Sequence, residues 1–126
     1  MDMAVVTGGG TGIGRALCSI LAERGMSVLA VGRRAEPLHV LATEFPGRVE
    51  PVVADVATPA GRETIASAVG TGRQLRFLVH NAGTIAPIGL LQALTPEALR
   101  DHLATNLEGP LFLSQRLLPQ LSGGRI

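Results

Sequence analysis

The chain has 126 residues, and at roughly 150 residues per domain that is one domain, which excludes a multidomain machine. Hydrophobic residues make up 46% and charged residues 17%, enough to build a core without disulfides or a structural metal and unlike a disordered segment. Eleven basic residues against ten acidic give a net charge of +1, which points away from nucleic acid and membrane surfaces and toward small-molecule partners.

Strand-like runs alternate with helical ones along the chain: MAVVT at 3–7, SVLAV at 27–31, VEPVVADV at 49–56 and LRFLVH at 75–80. These runs are nearly continuously apolar rather than alternating, so both faces are expected to be covered, as in a parallel sheet. The first helix, from about Gly12 to Arg24, sets Ile13, Leu17, Ile20 and Leu21 in a stripe expected to face the sheet and stops at Gly25. Leu38, Leu41 and Phe45 mark a second helix, and Ile65 and Val69 a third, with Thr58 as its cap and Pro59 at its first position. A fourth and longest helix opens at Thr95, Pro96 and Glu97, and carries Leu99, Leu103, Leu107 and Leu111 at spacing four toward Pro119. Residues 122–126 read as a turn and the first residues of another strand. The expected fold class is α/β: a Rossmann-like, doubly wound parallel sheet in one domain, residues 1–126, cut near the start of a fifth strand.

All eleven basic residues are Arg, and the chain contains no Lys, Tyr or Trp. Cys18 is the only cysteine, so no internal disulfide is possible, a reducing compartment suits it, and helix packing is its expected role. The first residues lack a signal-peptide pattern, and no apolar run nears the ~18 residues a membrane span needs, so a cytoplasmic location is expected.

The first strand runs into Thr7-Gly8-Gly9-Gly10-Thr11-Gly12-Ile13-Gly14 and then directly into helix. In that setting Gly8 suits a tight turn, Gly12 close approach of backbone to a pyrophosphate, and Gly14 packing of helix on strand, with phosphates held at the helix N-terminus. The spacing is G-x-x-x-G-x-G rather than the usual Rossmann G-x-G-x-x-G. The second strand ends in Gly32-Arg33-Arg34, where an NAD site would carry an acid for the ribose hydroxyls. A guanidinium fork suits a 2′-phosphate instead, so the chemistry favours NADP(H) over NAD(H), with Arg33 the first choice for that contact and Arg34 the second. The bland alternative is a solvated pair of arginines. Asp55, at the third strand's end, suits either an adenine amino group or an ordinary strand-end turn, and Val56 would pack on the adenine ring. The fourth strand leads to His80-Asn81-Ala82-Gly83, whose small residues let a ligand lie against backbone and whose Asn can tie neighbouring loops. His39, His80 and His102 show no metal-ligand spacing, and no metal site is expected. Pro110 has no N–H to offer the carbonyl four residues back, that of Asn106, which leaves either a freed acceptor or a simple kink.

In order and spacing, Thr7 to Gly14, Asp55, Asn81 to Gly83 and Asn106 resemble the short-chain dehydrogenase/reductase family, over essentially the whole chain but only the N-terminal half of a typical member. The resemblance implies pyrophosphate contacts from Gly8, Thr11, Gly12, Ile13 and Gly14, a 2′-phosphate contact from Arg33, and adenine contacts from Asp55 and Val56. It also implies cofactor-side backbone at Asn81, Ala82 and Gly83, and a catalytic Asn106 whose carbonyl holds a water in a proton relay. His80 departs from the Asn more usual there and reads as a strand-end variation. The family's Ser and Tyr-x-x-x-Lys are missing from this chain.

The implied function is NADP(H)-dependent oxidation or reduction of a small alcohol or carbonyl compound by hydride transfer, by a whole protein that is a homo-oligomer. This chain alone is expected to be inactive, since nothing in it supplies the proton. The alternative is a non-catalytic dinucleotide-binding or assembly module, a natural truncation associating through the fourth helix. Substrate identity is not readable, because the family's substrate walls come largely from the other half.

Overall fold

The computed structural model describes residues 2–126. Four strands, β1 (Met3–Thr7), β2 (Ser27–Gly32), β3 (Val49–Val53) and β4 (Leu75–Val79), form one parallel sheet in the order β3-β2-β1-β4. Helices α1 (Gly12–Glu23), α2 (Ala35–Glu44) and α3 (Pro59–Val69) make the crossovers. After β4 the chain runs through a loop and a single 3₁₀ turn into α4 (Pro96–Leu103), a π turn (Ala104–Glu108) and α5 (Gly109–Leu117). The expected doubly wound α/β fold is therefore present, with the chain direction reversing beside β1.

Strand alternation splits the core in two. Val5, Leu29, Val31 and Val52 point to one face and pack with Ile65 and Val69 of α3 and Leu113 and Leu117 of α5. Ala4, Val6, Val28 and Ala30 point to the other and pack with Cys18 and Leu21 of α1 and Leu38 and Leu41 of α2. Full cover on both faces holds for β1 and the middle of β2; the edge strand β3 leaves Val53 exposed and accommodates Pro51, which an interior strand would not.

Several expectations need correction. The buried stripe of α1 is Gly14, Cys18, Leu21 and Ala22, with Leu17 partly covered. Ile13 is 82% exposed and Ile20 45% exposed. The helix is rotated because Gly14 must sit against the β1 turn, which carries Ile13 outward. The third strand stops at Val53, not Val56, because Asp55 turns the chain: its Oδ1 accepts the Ala57 N–H at 2.9 Å and its carbonyl accepts the Thr58 N–H at 3.2 Å. The Leu99, Leu103, Leu107 and Leu111 ladder is exposed; the buried face of α5 is Gly109, Leu113 and Leu117.

Other local expectations agree with the fold. Thr58 and Thr95 cap α3 and α4, accepting from Gly61 at 2.9 Å and Ala98 at 3.2 Å, each with Pro at the first helical position. Gly25 ends α1 at φ +87°. Arg125 begins to pair on the outer edge of β4: its N–H donates to Arg76 O and its carbonyl accepts from Leu78 N, both at 2.9 Å. Among the described residues no helix is long and apolar enough to cross a membrane.

Candidate functional site

The carboxyl ends of the four strands open into a cleft of about 830 Å³, within the range of small-molecule sites. Of the sequence-predicted residues, Gly8, Thr11, Arg33, Arg34, Asp55, Val56, Asn81, Ala82 and Gly83 line it. Gly12, Ile13 and Gly14 open α1 beside it, and Asn106 stands one residue beyond Thr105, the last wall residue on the π turn.

The glycine turn is shaped by close approach. A Cβ on Gly14 would overlap both Gly8 O and Asn81 Nδ2, so α1 can start this near β1 only because position 14 has no side chain. Gly12, at φ +57°, has nothing within 4 Å of where its Cβ would be, so its backbone borders open space. Thr11 precedes α1 in extended conformation with no side-chain cap. The first N–H groups of α1 lack side-chain acceptors at the cap, which is the arrangement that favours an anion.

Asn81 joins the β4 end to this turn, its Nδ2 donating to Gly8 O at 3.0 Å. Thr7, one residue before the turn, contributes more than the sequence reading assigned to it. Its buried hydroxyl donates to Val79 O at 3.3 Å and accepts the N–H groups of Asn81 and Ala82 at 3.1 and 3.0 Å. The signal for it was its place as a lone polar residue ending a strand whose other positions are apolar.

Arg33 and Arg34 lie on the β2–α2 turn, exposed, and among the described residues neither guanidinium is in an ion pair or hydrogen bond. Across the cleft Asp55 has one carboxylate oxygen engaged in its own turn. Val56 is buried, packed beside Gly109 of α5, and Arg62 Nη1 holds its carbonyl at 2.9 Å.

Asn106 clamps the loop after β4. Its Oδ1 accepts the Thr84 N–H at 2.9 Å, and its Nδ2 donates to Thr84 O at 2.7 Å. The single longest helix expected from Thr95 toward Pro119 is instead α4 and α5 joined by the π turn, where Gly109, the residue before Pro110, bonds its N–H to Ala104 O. His80 Nε2 lies 2.7 Å from Ser114 Oγ of α5, and burial lowers the imidazole pKa below its ordinary value. Cys18 lies beneath the glycine turn, where burial pushes its thiol up to about 11.

A doubly wound parallel sheet, with a glycine turn entering the first helix and a cleft over the strand ends, is a Rossmann-like nucleotide-binding fold. A family model for short chain dehydrogenase matches residues 2–126. The short chain dehydrogenase tazN of Aspergillus terreus is 37% identical over 123 residues, covering 92% of this chain and 27% of that protein. L-xylulose reductase of Mus musculus is 39% identical over 115 residues, covering 89% and 44%. The crystal structure of L-sorbose reductase from Gluconobacter frateurii, complexed with NADPH and L-sorbose, superposes with a TM-score of 0.86 at 29% identity, over 95% of this chain and 47% of that one. This chain belongs to the short-chain dehydrogenase/reductase family. It spans about half, or less, of the length of these relatives.

Proposed function

We propose that this chain is the cofactor-binding half of an NADP(H)-dependent oxidoreductase acting on small carbonyl or alcohol compounds. The observation that carries the reading is the pair of unengaged guanidinium groups, Arg33 and Arg34, on the wall of a cleft that the open glycine turn also lines. Guanidinium donors together with an open helix N-terminus on one cleft suit a ligand that carries both a phosphate and a diphosphate. Gly12 supports it too, because the space beyond its backbone leaves room for a diphosphate at the head of α1. A structural neighbour, the sorbose reductase, was solved with NADPH.

Bound there, the cofactor would supply hydride transfer. The chain's own residues would do the holding: Gly8, Thr11, Gly12, Ile13 and Gly14 at the diphosphate, Arg33 with Arg34 at the 2′-phosphate, and Asp55 and Val56 at adenine. Asn81, Ala82 and Gly83 would provide a backbone wall, and Asn106 would be the catalytic-side residue, its carbonyl available to hold a water. The chain contains no Tyr and no Lys, so on this reading it binds cofactor but does not turn over a substrate by itself. The whole protein would be a homo-oligomer.

Titration with NADPH and with NADH tests the reading, using the fluorescence of the reduced nicotinamide in a chain free of Trp and Tyr. NADPH is expected to bind at least about tenfold more tightly, the size of a charge-assisted contact. Equal affinities would remove the role given to Arg33 and Arg34, and no binding of either would remove the cofactor reading.

A further inference from the structure

His102, on the last turn of α4, is one of the residues lining the cleft, and the site reading above gives it no task. Its Nδ1 lies 2.7 Å from Ala86 O. A backbone carbonyl can only accept, so Nδ1 must carry the proton and donate. In a neutral imidazole that leaves Nε2 with its lone pair. Asn106 Nδ2 is 3.1 Å from Nε2 and 3.4 Å from Nδ1; nearly equidistant from both, it lies over the face of the ring, out of line with the in-plane lone pair, so its N–H meets the imidazole π face. One Nδ2 hydrogen of Asn106 is directed to Thr84 O, and the other is thereby directed to His102.

We propose that His102, held as its Nδ1–H tautomer, is a positioning residue that fixes the Asn106 amide and fastens the Thr84–Ala86 segment to α4 as one wall of the cleft. Asn106 Oδ1 takes the Thr84 N–H, Nδ2 gives to Thr84 O, and the last Nδ2 hydrogen is met by the face of the His102 ring. A flipped amide would set Oδ1 against Thr84 O and leave that carbonyl without its donor, so the amide has one favourable orientation. The His102 ring is held under that amide because its Nδ1–H is committed to Ala86 O, which fixes the ring in place. Loop and helix are thus joined at two successive carbonyls, Thr84 through Asn106 and Ala86 through His102. The proposal rests on the cofactor reading only for what this wall encloses.

The test is the ¹⁵N spectrum of the His102 ring in the native chain, together with amide exchange at Thr84 and Ala86. The expected spectrum of the neutral ring has a protonated Nδ1 and a bare Nε2; the Nε2–H tautomer would overturn the proposal. His102→Leu removes the donor to Ala86 O and the ring under the Asn106 amide, and is expected to speed Thr84 exchange about tenfold, the effect of losing a hydrogen bond. His102→Gln supplies an N–H for Ala86 O and is expected to restore most of the protection, a rescue that simple filling of space would not produce. Unchanged exchange in His102→Leu would also overturn the proposal, and if that variant fails to fold, the native spectrum decides. These readouts need no nucleotide. A chain with the expected tautomer that fails to bind NADPH would therefore sink the cofactor reading and leave this one standing.

Discussion

The hydroxyl of Thr7, at the end of β1, accepts the backbone N–H of Asn81, beyond the end of β4, at 3.1 Å. It also accepts from Ala82 at 3.0 Å, so one buried oxygen satisfies two donors of the loop that borders the cleft. Thr7→Val keeps the shape and removes the acceptor, leaving two N–H groups without a partner at about 1–3 kcal/mol each. The expected loss is about 2–4 kcal/mol by chemical denaturation, largely recovered in Thr7→Ser. A Thr7→Val variant as stable as native would show that water replaces the hydroxyl there.

Gly14→Ala is expected to be more damaging than its one methyl group suggests. The new Cβ would overlap Gly8 O and Asn81 Nδ2, and both belong to backbone or to a side chain already bonded at 3.0 Å. The turn and α1 must separate, which breaks the Asn81 bond and shifts the α1 N-terminus. A fall in melting temperature of about 5 °C or more is the expected outcome. Gly12→Ala is a contrast, since it meets no atom and costs only its φ of +57°, about 1–2 kcal/mol. Equal losses from both would argue that strain, and not contact, decides at position 14.

Much of this was legible in the sequence, and the misses share a cause. The parallel α/β layout follows from apolar runs separated by helix-length segments, though full cover holds only for the inner strands, and the threonine caps follow from Thr-Pro pairs. What periodicity could not supply was helix rotation. Ile13 and Ile20 are more apolar than Gly14 and Cys18, yet the latter face the sheet, because close packing at Gly14 outweighs the burial of two isoleucines. The same holds for Val56, read as strand although Asp55 turns the chain before it. Of the site, the wall residues from four separate strand ends were readable from their positions after each strand. The hydroxyl of Thr7 and the ring of His102 were not, since their value lies in partners more than a dozen residues away.

His80 gives the fold a defined acid sensitivity. Burial holds its imidazole pKa below the ordinary value, so the unfolded chain binds the proton more readily than the folded one. Stability is then fully present above the unfolded imidazole pKa, about 6.5, and is lost as pH falls from there toward the folded value. Denaturation between pH 5 and 8 is expected to show a slope of at most about 1.4 kcal/mol per pH unit attributable to this group. His80→Gln should abolish that component while other acidic losses remain. Parallel pH profiles for native and variant would refute the assignment.

Cys18 is buried and its thiol is pushed up to about 11 by that burial, so the thiolate that reacts with alkylating agents is scarce at pH 8. Under native conditions labelling is expected to proceed only through opening of α1 from the sheet, at a rate well below that of the unfolded chain. Because a Cβ on Gly9 would lie 3.0 Å from Cys18 Sγ, this thiol also reports on the glycine turn above it. If a diphosphate binds at the head of α1, saturating NADPH should slow labelling further, by the factor that binding adds to the opening free energy. Labelling that is fast in the native chain would mean that α1 is not held against the sheet. Labelling that is slow but indifferent to NADPH would place any bound nucleotide away from this turn.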